Sequence, residues 1–282
     1  NYIPNRRASS LKKDKTNIVG VVIPDISNPF FARVLYAAET ILYAAGYNVV
    51  LANVEESERK EKDQLKMLLS LGIDALLVAP NERLYKEYQE LARSGMCIVF
   101  FDRTIRNLAI DSVIVDNREA IYKSVEYLYK KGYRRIAHVA GDPAVFTGRE
   151  RAEGFKEALR KFGLETSKCP LIYGNKSISE AYLTTKKLVE EGNVEAIISS
   201  SNKVTLGMVK ALRELKIRVP EDLAIVGFDE LHCVVLEIPT VVQPEFALGT
   251  VAAQRVIHRL KNPNKYESPQ RVVLKCEFKN FT

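Results

Sequence analysis

The 282-residue chain is 46% hydrophobic and 27% charged, too apolar for a disordered polymer and longer than one compact domain usually runs, so two lobes of ordinary size are expected. No stretch reaches the roughly 18 uninterrupted apolar residues of a membrane-spanning helix, and the basic, polar start lacks the apolar centre of an export signal, so a cytoplasmic protein without a membrane partner is expected. The formal charge of +7 is unevenly placed, with +4 on residues 1–16 and +3 on the remainder.

In chain order the first element is that arm. Arg6, Arg7, Lys12, Lys13 and Lys15 stand against Asp14 alone. A basic arm on a nearly balanced body suits a polyanion met at this end, although a solvated tail has the same composition. Because the first residue is Asn1, the sequence reads as a fragment or processed form of a longer protein.

From Ile18 onward, short β-branched runs alternate with amphipathic stretches. Strands are expected at 18–23, 48–52, 75–79, 98–101, 112–115, 135–140, 171–173, 196–199 and 224–226. Helices are expected near 30–45, 57–71, 82–94, 118–131, 149–162, 178–191, 203–216 and 245–260. Runs that are apolar on both faces and separated by helices call for parallel strands covered on each side, hence an α/β, doubly wound architecture with two sheets. The helix over 57–71 places Leu65, Leu68 and Leu69 on one side, with Met67 beside them, and ends at Gly72; Gly46, Gly132 and Gly163 close helices in the same way. Pro220-Glu221-Asp222 marks a turn before the strand at 224–226. The helices near 33–44 and 64–71 carry more apolar residues than one core face requires, which suits either a dimer seam or burial within a lobe.

Cys97, Cys169, Cys233 and Cys276 show no CxxC pairing and read as small buried apolar residues. His138, His232 and His258 lack ligand spacing, and His138 falls inside an apolar strand as a satisfied core histidine. Neither a metal nor a cofactor is expected. There is no GxGxxG after the first strand, and no GxxxxGK[ST], GxSxG or HExxH, so the usual phosphate cradles and nucleophile elbows of enzymes are missing.

In open parallel sheets, ligands bind beyond the carboxyl ends of strands. The segments there are chemically rich: Pro24-Asp25-Ile26-Ser27-Asn28-Pro29-Phe30-Phe31, Asp102-Arg103, Gly141-Asp142 and Phe228-Asp229-Glu230. Helix capping alone would account for Ser27 and Asn28.

On these residues the chain resembles the LacI family of bacterial regulators along essentially its whole length. Further matches are Tyr2-Ile3-Pro4-Asn5-Arg6-Arg7-Ala8-Ser9-Ser10-Leu11, Val115-Asp116-Asn117, Gly132-Tyr133-Arg134-Arg135-Ile136-Ala137, Arg151-Ala152-Glu153-Gly154-Phe155, Val219-Pro220-Glu221-Asp222 and Val226-Gly227-Phe228-Asp229. The resemblance implies two periplasmic-binding-protein-like lobes, 17–117 with 246–273 and 118–245 with 274–282, with the ligand cleft between them. It also implies a hinge over 1–16 that follows an upstream helix-turn-helix. Pro4 can open a short helix, Ala8, Ser9 and Ser10 are small enough for two copies to approach, and Leu11 can wedge into a minor groove. By resemblance, Asn5, Ala8, Ser9, Leu11 and Lys12 contact DNA.

The family pattern carries effector contacts to Asp25, Ser27, Asn28, Phe30 and Arg103 in the first lobe, and to Thr147, Arg151, Ser201, Asn202, Phe228 and Asp229 in the second, with Gln243 at a crossover. Asp229 could instead only cap a helix, and Arg103 could instead only pair with Asp102 or a neighbouring lobe. Where the family usually has Asn-Asp, this chain has Ser201-Asn202 followed by Lys203. That departure, with Arg103 and Arg151, favours an anionic sugar acid or phosphosugar over a neutral sugar. The expected function is an allosteric transcriptional repressor, a homodimer on operator DNA controlled by a carbohydrate-like effector. An extracytoplasmic solute-binding protein for a sugar is the alternative, and it has no use for the basic arm.

Overall fold

The computed structural model describes residues 15–230, 237–263 and 267–280, so the hinge residues Asn5, Ala8, Ser9, Leu11 and Lys12, together with His232 and Cys233, lie outside the described residues. In chain order the elements are β1 (Ile18–Ile23), α1 (Pro29–Ala44), β2 (Asn48–Asn53), α2 (Glu58–Ser70), β3 (Ala75–Val78), α3 (Tyr85–Arg93), β4 (Cys97–Phe101), β5 (Asp111–Val115), α4 (Asn117–Lys130) and β6 (Ile136–Val139). They continue with α5 (Phe146–Lys161), β7 (Leu171–Ile172), α6 (Ile178–Glu191), β8 (Ala196–Ser199), α7 (Asn202–Glu214), β9 (Ala224–Phe228), β10 (Thr240–Val242), α8 (Glu245–Lys261), β11 (Arg271–Leu274) and β12 (Glu277–Lys279).

These elements form two compact units, one running to Ile114 and resuming over Glu245–Leu274, the other comprising Val115–Pro244 and the segment from Lys275. The first unit holds a six-stranded sheet in the order β11-β5-β4-β3-β1-β2, the second one in the order β12-β10-β9-β8-β6-β7. Strand β1 pairs in parallel with β2 and β3, Val21 lying opposite Leu51 and Leu77. In the second unit β8 is parallel to β6 and β9, while β12 runs antiparallel to β10.

Each sheet is covered on both faces, which is why its central strands read as unbroken apolar runs. In the first unit, Val34 and Leu42 of α1 and Leu248 and Val256 of α8 share one core, and Leu65, Leu68 and Tyr88 pack in the other. In the second, Ile121 of α4 and Phe155 of α5 form one core, while Leu188 of α6 and Met208 of α7 form its counterpart. Each fully buried side chain of this size contributes about 1.5–3 kcal/mol. Two helix pairs approach at glycines. A Cβ on Gly249 of α8 would lie 2.2 Å from the Val34 carbonyl oxygen, and one on Gly154 of α5 would lie 2.1 Å from that of Arg118. A side chain at either position would force the paired helices apart.

The structure departs from the sequence expectations at several points. Strands β10, β11 and β12 are additions: the first is three residues long, and the other two are half-exposed, so neither shows an apolar run. Helix α5 begins at Phe146, which makes Thr147 helical, and β9 continues through Gly227 to Phe228. Met67 does not join the buried side of α2; it is exposed, and Glu61 takes an inward position with Leu65 and Leu68. On α1 the apolar surplus divides, with Phe30, Val34 and Leu42 buried while Tyr36 and Tyr43 face outward. Among the described residues, no helix is long and apolar enough to cross a membrane.

Candidate functional site

In the first unit the expected residues gather beyond the carboxyl ends of β1 and β4. Asp25 Oδ1 accepts from the Ser27 amide at 2.9 Å and from its hydroxyl at 2.6 Å, which shapes the turn out of β1. Asn28 caps α1 by accepting from the Phe30 amide at 3.0 Å, so the capping role open to it is realised. Phe30 is buried edge-on against Phe31, with ring centroids 5.0 Å apart. Phe30 therefore contributes to the core as well as to the shape of the loop.

At the end of β4 the chain turns through Asp102 in the left-handed region, at φ 61°. Arg103 is 7% exposed, and its two terminal nitrogens donate to the two Glu56 oxygens at 2.7 and 2.6 Å. Its Nε lies 3.3 Å from an Asp102 oxygen, and the guanidinium sits 6.0 Å from the Phe31 ring centre. Behind this ion pair Glu61 is buried, accepting from the Tyr88 hydroxyl at 2.5 Å and the Asn81 amide at 3.1 Å. Burial pushes its carboxyl above the usual range, against the lowering effect of those hydrogen bonds.

In the second unit Thr147 and Arg151 stand one turn apart on α5, both buried. Arg151 Nε donates to Asn117 Oδ1 at 2.7 Å, and its terminal nitrogens donate to the Ser200 carbonyl at 2.6 Å and to Gln243 Oε1 at 3.4 Å. The guanidinium carbon lies over the Phe228 ring, 3.9 Å from its centre. Phe228 is fully buried and serves as the floor for that cation. Gln243 donates onward to Asp229 Oδ1 at 2.6 Å, and the other Asp229 oxygen accepts from the Asn202 amide at 3.3 Å. Asp229, at φ 66°, occupies the same left-handed strand-end position as Asp102 does in its own sheet. It touches the first turn of α7 and also enters the polar chain through Gln243, so capping is not its whole role. Ser201 is the N-cap of α7, accepting from Val204 at 3.3 Å.

Three participants were missed. Asn117 orients Arg151, and its place at the start of α4, directly after a strand, was the available signal. Glu56 occupies Arg103 from a positive-φ position at 56°, which the sequence does not mark. Ser200 is buried, and its Oγ has no hydrogen-bond partner; the serine run 199–201 hinted at a polar strand end. Carboxamides, a carboxylate, hydroxyls and an arginine–aromatic pair at one sheet edge provide the alternating donors and acceptors that a polyhydroxylated ligand needs.

Burial raises the Cys97 thiol to about 12 and pushes Cys276 up as well. His138 is buried and its pKa falls to about 4 through desolvation. Its Nδ1 lies 3.1 Å from the Ile198 carbonyl oxygen, but its Nε2 has no hydrogen-bond partner, so this core histidine is only half satisfied. Among the described residues, no group of three His, Cys, Asp or Glu side chains is arranged to hold a metal ion. A hollow of about 610 Å³ opens at the amino edge of the second sheet, beside Tyr133, Arg135, Glu195 and Leu223, and contains none of the expected residues.

Residues 16–282 match the family described as periplasmic binding proteins and sugar binding domain of LacI family. The chain is 33% identical to a ribose operon repressor of Halalkalibacterium halodurans, over 98% of this chain and 83% of that protein. It is 28% identical to catabolite control protein A of Priestia megaterium, over 100% of this chain and 86% of that protein. A solved structure described as a candidate ribose operon repressor from Burkholderia thailandensis superimposes with a TM-score of 0.81 at 29% identity, covering 94% of this chain and 99% of the other.

Proposed function

Since this chain belongs to the LacI family, we propose that it is a transcriptional repressor whose affinity for operator DNA is set by a small sugar. The observation that carries the proposal is the polar chain at the carboxyl edge of the second sheet, in which Asn117, Ser200 and Gln243 fix Arg151 over Phe228 and Gln243 leads on to Asp229. A pre-oriented guanidinium and carboxylate present rigid donors and acceptors to sugar hydroxyls without ordering costs on binding. Asp25, Ser27, Asn28, Phe30 and Arg103 in the first unit, and Thr147, Ser201 and Asn202 in the second, complete the proposed effector contacts. The relatives named above are regulators, which supports a binding role rather than an enzymatic one.

A homodimer brings two basic arms to one operator, with Leu11 of each wedged into the minor groove and Asn5, Ala8, Ser9 and Lys12 beside it. Tyr36 and Tyr43, exposed at 67% and 71%, give α1 an outward apolar stripe suited to the partner copy. Coupling needs only that the sugar prefer one arrangement of the regulator by 1–3 kcal/mol, which changes DNA affinity about 5- to 150-fold.

Thermal unfolding with D-ribose, its phosphate esters and its acids tests the reading. A true effector at 100 times its Kd stabilises the fold by about 2.7 kcal/mol. In the full-length protein the same sugar should change operator affinity, and Leu11→Ala should weaken operator binding while leaving sugar affinity intact. Absence of a shift with every sugar, combined with unaltered operator binding, overturns the proposal.

A further inference from the structure

We infer that Glu56 is a charge filter, a specificity-determining residue that holds Arg103 away from anionic ligand groups and tunes the regulator to a neutral sugar. The inference rests on the effector reading above and extends it to a residue outside the family pattern. The sequence expectation of an anionic effector counted Arg103 among the cations available to it. Arg103 instead presents its planar fork to a carboxylate already in place, with two contacts at 2.6 and 2.7 Å, while Asp102 approaches its Nε at 3.3 Å. Parallel contacts of this kind are the geometry by which arginine recognises a ligand carboxylate or phosphate. Glu56 thus fills the position an anionic group would take.

The local backbone supports a dedicated role. Glu55 and Glu56 are both in the left-handed region, at φ 54° and 56°, in the segment between β2 and α2. A glutamate there carries a backbone strain that glycine avoids, and the bidentate contact with a buried cation offsets it. The Glu56 side chain is half-exposed while that of Arg103 is 9% exposed, so the carboxylate covers the arginine on its solvent side. A phosphate approaching Arg103 must either displace Glu56 or accept its repulsion. A neutral hydroxyl meets no such repulsion from the pair.

Two substitutions separate charge from shape. Glu56→Gln removes the charge and keeps the length, and Glu56→Gly opens the position in a conformation that glycine favours. Glu55→Gln is the charge-matched control, since Glu55 pairs with exposed Lys60 at 2.6 Å. Titrations with D-ribose and D-ribose 5-phosphate should show the ratio of phosphosugar to sugar affinity rising about tenfold or more in both Glu56 variants, the size expected of one recovered charge-assisted contact, and staying at the wild-type value in Glu55→Gln. Inorganic phosphate reads the filter without a sugar: it should raise the Tm of Glu56→Gly above its effect on wild type and Glu55→Gln. If neither sugar binds any variant but phosphate discriminates in this way, the charge filter stands and the sugar reading fails. An equal phosphate response in all four proteins, or an unchanged affinity ratio in both Glu56 variants, overturns the inference.

Discussion

Each unit presents one buried arginine at the carboxyl edge of its sheet, and the two are held by different chemistry. Arg103 meets the Glu56 carboxylate end-on through both terminal nitrogens, with an Asp102 oxygen 3.3 Å from its Nε. Arg151 directs its donors to the amide and carbonyl oxygens of Asn117, Ser200 and Gln243 and lies against an aromatic face. The first arrangement cancels charge where the arginine sits. The second fixes a planar cation in orientation, and Gln243 carries the polarity on to Asp229. Neighbouring titratable groups show the same division. Burial raises Glu61 in the first unit and lowers His138 in the second, so both tend toward the neutral form, with opposite consequences for stability against pH.

The largest test of this contrast removes the arginines one at a time. Arg151→Ala should lower sugar affinity about 100-fold or more and, by leaving buried amide and carbonyl groups without their donor, destabilise the second unit by about 3 kcal/mol in urea unfolding. Arg103→Ala should cost about 2 kcal/mol or less, because its main partner Glu56 is half-exposed and regains water. Equal effects of the two substitutions would break the comparison.

The next test uses pH. The folded pKa of His138 lies at about 4, below its ordinary 6.5, so the unfolded chain binds the proton first. Stability tied to this group is intact above pH 6.5 and is lost as pH falls toward 4, by roughly 3 kcal/mol. His138→Gln should flatten that part of the curve. Glu61 works in the other direction: its folded pKa is raised, so its contribution is present at low pH and is lost as pH rises through the ordinary carboxylate range and beyond. Glu61→Gln should therefore gain stability relative to wild type as pH rises. Denaturant midpoints between pH 4 and 8 measure both slopes.

The smallest expected effect falls on Ser200. Its buried Oγ has no partner to lose, so Ser200→Ala should leave unfolding free energy unchanged or raise it by about 1 kcal/mol. If that hydroxyl faces the sugar, affinity falls about tenfold, as one neutral hydrogen bond predicts.

Much of this was legible in the sequence because parallel strands buried on both faces leave continuous apolar runs, as at Ile18–Ile23 and Ala196–Ser199, and because glycines such as Gly72, at φ 69°, punctuate the helix ends. The strands Arg271–Leu274 and Glu277–Lys279 were not legible, since half-exposed edge strands owe their place to partners distant in sequence. Arg271–Leu274 sits beside an anchored cluster in which Asp111 accepts from Arg255 and Arg259 and from the Gln270 amide, across more than 140 positions. The site divides along the same line. Residues following a strand, such as Arg103 and Asp229, were visible as loop chemistry. The identity of their partners was not, because Glu56 reaches Arg103 across 47 positions and Asn117 meets Arg151 across 34.

The most direct test is calorimetric titration of the sugar that stabilises the wild type in the thermal-unfolding screen into the wild-type protein and Arg151→Ala at one pH and ionic strength. One site per chain is expected in the wild type and no measurable heat of binding in the variant, with the variant still folded by circular dichroism. Undiminished affinity for that sugar in Arg151→Ala would contradict the proposed role of this arginine.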